Sequence, residues 1–172
     1  MIARASSLRN EPPAPTLARH AASILIVDDD DCIRERNSLV LASAGYHTGT
    51  AADGWEGWHA VHANHYDLVI TDNQMPRLSG LEFVRKLRSE CLLLPVVLAC
   101  GSLEAAELER HADLAFAATL PKPYDMQQLL ATVQRVLLNP PPDVMRRIQQ
   151  ANPFLSDAAA HCAAYPRWGI NE

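Results

Sequence analysis

The sequence predicts an α/β fold, a doubly wound parallel sheet of five strands with helices on both faces. Three observations predict it. Short apolar runs alternate along the chain with segments of helical period. Most of these runs lack polar alternation, which is typical of strands that are covered on both faces. The runs end at polar residues, glycines or prolines that begin a loop.

The first part of the chain supplies three strands and two helices. Residues 24–27 are a β-branched, apolar strand, and the helix over about 31–44 keeps its apolar residues on one face before Gly45 ends it. Residues 47–51 predict a more polar strand, which we expect nearer the sheet edge. A second helix starts at Asp53-Gly54 and reaches about residue 64. The apolar run 68–70 is the third strand.

The second part adds two strands and three helices. The helix over 81–90 is expected to bury its apolar residues and to leave its basic residues, Arg88 among them, in solvent. Strand 96–99 follows, and then a helix over 103–112 whose thin apolar face predicts that it is loosely held. The fifth strand is predicted over 114–120. Asp125 caps the last helix, which has apolar residues at near-ideal helical spacing.

The two ends of the chain differ from its middle. Residues 1–22 are polar and contain several prolines, so we expect a disordered N-terminal tail. Residues 23–138 form the predicted domain. Residues 139–172 are expected to be a proline-rich tail with a possible short helix over 144–151. They show no helix-turn-helix, zinc-finger or basic-zipper pattern, so we expect no output domain there.

Composition and charge exclude several classes of protein. The formal net charge is −5, and the acidic residues concentrate in the predicted domain, which does not favour a nucleic-acid partner. That charge suits a protein that holds a divalent cation or meets a basic partner. No apolar run reaches membrane-span length, and the four cysteines form no CxxC pair. We therefore expect reduced thiols, a cytoplasmic location and no membrane association.

The predicted fold brings distant polar residues together. Right-handed crossovers place the carboxyl ends of all parallel strands at one sheet edge, where α/β folds bind ligands. That edge should carry the aspartates 28–30, Asp72, Cys100-Gly101 and Lys122. A lone aspartate is usually a turn or cap residue. Here separate segments deliver carboxylates and a cation to one place, which indicates a functional site.

These residues, in this order, resemble the receiver domain of response regulators in two-component signalling. The motifs are the pair Asp28-Asp29, the D-x-x-M-P of Asp72 to Pro76 with Gly80, and Lys122-Pro123, which matches a peptide bond that is usually cis. The resemblance covers about residues 23–138 and implies the strand order 2-1-3-4-5.

The resemblance also implies a role for each site residue. Asp72 matches the phospho-acceptor, which takes a phosphoryl group from a phosphohistidine of a histidine kinase or a histidine phosphotransfer protein. Asp28, Asp29, Asp72 and the backbone carbonyl of Gln74 match the ligands of Mg²⁺, and Lys122 matches the lysine that pairs with the phosphoryl oxygens. Such a domain catalyses only its own phosphorylation and dephosphorylation. It would signal through an unknown protein partner, or by passing its phosphoryl group on.

Two positions depart from the family pattern. Cys100 stands where the family usually has Ser or Thr, and Thr119 stands where an aromatic residue is common. Both favour an alternative function, a receiver-like binding scaffold whose output depends little on phosphorylation. A third interpretation is a phosphohydrolase with an aspartyl nucleophile after the first strand. It is disfavoured because the aspartates 28–30 run directly into a helix.

Overall fold

The computed structural model describes residues 21–101 and 110–138. Within this part, five parallel strands form one sheet in the order β2-β1-β3-β4-β5, which confirms the predicted fold class and strand order. The strands are β1 (Ser23–Val27), β2 (His47–Ala51), β3 (Leu68–Asp72), β4 (Val96–Cys100) and β5 (Ala118–Pro121). The more polar strand β2 lies at the sheet edge, as expected.

Helices cover both faces of the sheet. They are α1 (Asp31–Ser43), α2 (Gly54–Ala63), α3 (Gly80–Ser89), a short 3₁₀ helix (Ala112–Leu114) and the final helix (Met126–Leu138). Strand β1 shows why both faces are apolar. Ile24 and Ile26 pack on one face of the sheet with buried residues of α1 and the final helix. Leu25 and Val27 pack on the other face with residues of α2 and α3.

Side-chain caps set the starts of the helices. Asp30 caps α1 by accepting hydrogen bonds from the amides of Cys32 and Ile33. Ser79 and Glu82 form a reciprocal capping box at the start of α3. These caps stand between the carboxyl ends of the strands and the helices, so they hold the loops that carry the site.

The predicted start of the fifth strand is wrong. Leu114 lies in the 3₁₀ helix, Ala115 has a left-handed φ of 49°, and the strand begins only at Ala118. The carbonyl of Leu114 accepts a hydrogen bond from the side chain of Arg88, at 3.0 Å, so it is satisfied without a strand partner. The apolar character of a short segment does not by itself distinguish a strand from a 3₁₀ helix.

The expectation that Arg88 is solvated is also wrong. Its residue is only 6% exposed. Besides the Leu114 carbonyl, it binds the carbonyls of Leu92 at 2.7 Å and Leu94 at 3.0 Å through Nη1. Burial lowers the pKa of Arg88 to about 10, so the guanidinium stays charged at neutral pH. One buried cation thus ties the end of α3 to the segment before β4 and to the 3₁₀ helix.

Several predicted segments lie outside the described residues. They include most of the helix predicted over 103–112, the tail before residue 21 and the whole segment 139–172 with its possible short helix. None of the described helices is long and apolar enough to cross a membrane.

Candidate functional site

The carboxyl ends of the parallel strands meet at one edge, as predicted. Asp28 directly follows β1, Asp72 is the last residue of β3, and Cys100 is the last residue of β4. The register pairs Asp72 with Ala99, so these two strands end nearly level. Lys122 follows β5, and its amide donates to the carbonyl of Cys100 at 2.7 Å.

Three aspartates form a compact cluster at this edge. One carboxylate oxygen each from Asp28, Asp29 and Asp72 lies within 4.8 Å of the others. Asp28 and Asp72 are buried, at 3% and 8% exposure, whereas Asp29 is exposed. Carboxylates packed this closely repel one another and call for a positive charge between them. Hard oxygen donors of this kind suit Mg²⁺, so the residues present fit the expected ion.

The other two aspartates of the run have separate tasks. Asp30 is the cap of α1, and its own amide donates to Asp28 Oδ1 at 3.0 Å. Asp31 pairs with Arg34, whose Nη1 also donates to the backbone carbonyl of Asp28 at 2.6 Å. The cap therefore orients the buried carboxylate that precedes it.

Lys122 supplies the positive charge at the cluster. Its Nζ lies 3.1 Å from Asp28 Oδ2 and 3.1 Å from Asp72 Oδ2. Burial alone would lower the pKa of Lys122, but the hydrogen bond and charge of Asp28, together with Asp72, outweigh it and raise that pKa. Burial raises the pKa of Asp28 despite the Asp30 amide and Lys122. The Lys122–Pro123 peptide bond is cis, as the resemblance implied.

The acceptor strand ends in a tightly built turn. The backbone amide of Asn73 donates to Asp72 Oδ1 at 2.7 Å, which orients the carboxylate. Gly80 lies so close to this turn that a Cβ atom there would stand 2.0 Å from the Asp72 carbonyl oxygen. Only glycine permits that approach. Gln74 is exposed, two residues beyond Asp72 in the loop that leaves β3.

The two positions that depart from the family pattern are both in the sheet. Cys100 is 6% exposed at the end of β4. Thr119 is half-buried in β5 and pairs in register with Leu98. Cys100 therefore ends the strand that neighbours β3, and Thr119 lies one strand further along the sheet.

Sequence reasoning missed the roles of four residues near the site. Tyr124, just past the cis peptide, accepts a hydrogen bond at 2.9 Å from buried Asn37 of α1. Asn73 Oδ1 is buried without a hydrogen-bond partner among the described residues. Arg77 binds two acids of the α2 start. Only Asn37 left a signal in the sequence, as a polar residue on the apolar face of a helix.

The chain is similar to known proteins in sequence and in fold. The family model of the response regulator receiver domain matches residues 24–134. The chain belongs to the response regulator receiver family. Response regulator MprA of Mycobacterium sp. strain KMS is 37% identical over 120 residues, which are 70% of this chain and 52% of that protein. MprA of Mycobacterium leprae is 36% identical over 120 residues, 70% of this chain and 53% of that protein.

Solved receiver structures have the same fold. Chemotaxis protein CheY4 of Vibrio cholerae matches with a TM-score of 0.65 at 33% identity, covering 68% of this chain and 99% of that one. A response regulator receiver protein from Pseudomonas putida matches with a TM-score of 0.63 at 30% identity, covering 67% and 97%. The chain spans about half the length of the curated relatives that it matches. The expectation of a stand-alone receiver stays a prediction.

Proposed function

We propose that this receiver domain accepts a phosphoryl group on Asp72 from a phosphohistidine of a histidine kinase or a histidine phosphotransfer protein. The observation that carries the proposal is the position of Lys122 Nζ, 3.1 Å from both Asp28 and Asp72 in a cluster of three carboxylates. Phosphoryl transfer needs positioning and neutralised oxygen charge more than covalent help from other groups. This cluster offers a nucleophile, a cation and metal ligands together.

Each side chain has a distinct part in the proposed transfer. An oxygen of Asp72 bonds to phosphorus while the phosphorus–nitrogen bond of the phosphohistidine breaks and its electron pair returns to the imidazole. The Asn73 amide holds the other Asp72 oxygen, so the carboxylate does not rotate during attack. Lys122 exchanges its contact with Asp72 for one with a phosphoryl oxygen.

The metal ligands are proposed to be the carboxylates of Asp28, Asp29 and Asp72 and the backbone carbonyl of Gln74. When bound there, Mg²⁺ neutralises charge on the phosphoryl oxygens. We propose that the domain then signals through a protein partner and catalyses only its own phosphorylation and dephosphorylation. A cytoplasmic location and the lack of nucleic-acid binding stay predictions.

Phosphorylation by a small donor tests the proposed function. Incubation with acetyl phosphate and Mg²⁺ is expected to add the mass of one phosphoryl group, because the site needs no kinase residue for the transfer. Intact-mass spectrometry detects it. The same incubation with EDTA is expected to give no gain. An unchanged mass with Mg²⁺ present would contradict the proposed phosphorylation of Asp72 and favour a binding scaffold that does not depend on it.

A binding scaffold with weak dependence on phosphorylation is the second candidate, and Cys100 favours it. A thiol is a weaker hydrogen-bond donor than the hydroxyl that the family usually has there. A modification shifts a conformational equilibrium only by the difference in its contacts between the two states. The thiol forgoes about 1 kcal/mol of that difference, which corresponds to a several-fold change in population.

The substitution Cys100→Thr is therefore expected to strengthen the conformational response. Amide chemical shifts of residues 110–138, measured without and with beryllofluoride, should change more in Cys100→Thr than in the wild type. Cys32→Thr is the matched control, because that cysteine is exposed on α1. Equal shift changes in the wild type and Cys100→Thr would show that the thiol does not limit the switch.

A further inference from the structure

Arg77 occupies the middle of the loop 73–79, which joins β3 to α3 and carries Gln74. Its φ is 61°, a left-handed conformation that is uncommon for a residue with a side chain. A backbone of this kind persists where surrounding contacts hold it. The contacts of Arg77 are made by its guanidinium, which reaches across to the start of α2.

Two acids of the α2 start bind this guanidinium. Arg77 Nε donates to Asp53 Oδ2, and Nη2 donates to Glu56 Oε1 at 2.8 Å. Each acid uses its other oxygen for the backbone. Asp53 Oδ1 accepts from the amides of Trp55 at 2.8 Å and Glu56 at 2.9 Å, and Glu56 Oε2 accepts from the amide of Ala52 at 3.0 Å. These hydrogen bonds orient both acids, so the guanidinium meets two acceptors that are already positioned.

Burial makes the contact with Asp53 costly to lose. Asp53 is only 1% exposed, and a buried carboxylate needs a charged or hydrogen-bonded partner for each oxygen. Moving the loop outward would leave Asp53 Oδ2 without its cation. The amide of Gly54 also donates to the carbonyl of Leu78 at 3.2 Å, so the backbone next to Arg77 is held by the same end of α2.

Gln74 lies between two anchors. On one side, the Asn73 amide binds Asp72 Oδ1 at 2.7 Å, and the Asn73 carbonyl accepts from Gly80 at 3.1 Å. On the other side stands Arg77. With both sides held, the peptide that carries the Gln74 carbonyl has little freedom to turn.

We infer that Arg77 is a positioning residue for the metal site. Its ion pairs with Asp53 and Glu56 hold the loop 73–79 in the conformation in which the Gln74 carbonyl can act as a ligand beside the carboxylate cluster. The inference rests on the proposed function, because Gln74 is a proposed metal ligand. If it holds, helix α2 affects metal affinity although it contributes no proposed ligand itself.

Positioning and simple electrostatics predict opposite effects of removing this charge. Arg77 carries a positive charge, and Mg²⁺ is a cation. If Arg77 acted only through its charge, its loss would strengthen Mg²⁺ binding. If it positions the Gln74 carbonyl, its loss weakens binding. The sign of the change therefore separates the two.

The substitution Arg77→Met removes the ion pairs and keeps an unbranched apolar side chain. We expect Mg²⁺ to bind about tenfold more weakly, as is usual when a group that orients a metal ligand is lost. The readout is an NMR titration with Mg²⁺ that follows the amide of Met75, whose peptide contains the Gln74 carbonyl. Arg77→Lys should recover part of the affinity. Arg85→Met, an exposed arginine of α3, is the control and should bind as the wild type does.

A double-mutant cycle with Asp53 tests the stated contact. Asp53→Asn keeps a good helix cap and removes the charge that Arg77 meets. If the ion pair acts through positioning, the double variant Asp53→Asn with Arg77→Met should bind no more weakly than Arg77→Met alone. Additive losses would overturn the inference. Should Arg77→Met fail to fold, Arg77→Lys and Asp53→Asn carry the same test, with wild-type affinity in both counting against it.

Two results separate this inference from the proposed function. If the wild type binds Mg²⁺ and Asp29→Asn weakens that binding, the metal site stands. Unchanged or tighter binding by folded Arg77→Met then overturns the positioning role alone. If the wild type shows no Mg²⁺-dependent shift at Met75, or Asp29→Asn binds as tightly as the wild type, the proposed metal site itself fails.

Discussion

Asp72→Asn is expected to abolish phosphorylation, with no gain in mass after incubation with acetyl phosphate and Mg²⁺. The amide oxygen of asparagine is a poor nucleophile, whereas the shape of the side chain and its bond from the Asn73 amide are kept. The loss should therefore be chemical, without loss of the fold. Intact mass and a thermal unfolding curve on the same sample separate the two causes.

Two further variants make this result specific. Asp29→Asn leaves Asp72 in place and should weaken Mg²⁺ binding and slow phosphorylation, because one of the three clustered carboxylates is lost. Asp113→Asn changes an exposed acid of the 3₁₀ helix and should behave as the wild type. Full phosphorylation of Asp72→Asn would show that another residue is the acceptor and would contradict the assignment of Asp72.

Arg88→Met is expected to lower the free energy of unfolding by about 3 kcal/mol. Three carbonyls, those of Leu92, Leu94 and Leu114, would lose their donor. Each buried acceptor left unsatisfied costs on the order of 1 kcal/mol or more, and relief of the buried charge offsets part of the sum. For a domain of this size the melting temperature should fall by roughly 10 °C.

Urea unfolding measures this loss as a lower midpoint at an unchanged m-value. Arg85→Met on the same helix is the matched control. Its side chain is exposed, so the expected change is within about 0.5 kcal/mol. A loss of the same size in both variants would show that helix propensity or net charge matters and that the three carbonyl contacts do not.

The sequence by itself determined the order and type of most elements, because each carries a local signal. Apolar runs mark the strands, and capping residues such as Asp53 mark helix starts. It also determined that Asp28, Asp72 and Lys122 meet. In a parallel sheet with right-handed crossovers, the carboxyl ends of all strands lie at one edge. Residues that are distant in sequence therefore become neighbours there.

Only the tertiary structure decided how individual charges are used. Asp30 and Asp31 stand in the same acidic run as Asp28, and local sequence does not say which aspartate caps a helix and which joins a cluster. The hydrogen bond from Arg88 to Leu114 and the link from Arg77 to Asp53 each join residues more than twenty positions apart. Helical and strand periodicities report only which face of an element is apolar. Where a long charged side chain ends depends on which carbonyl or carboxylate the fold brings within its reach.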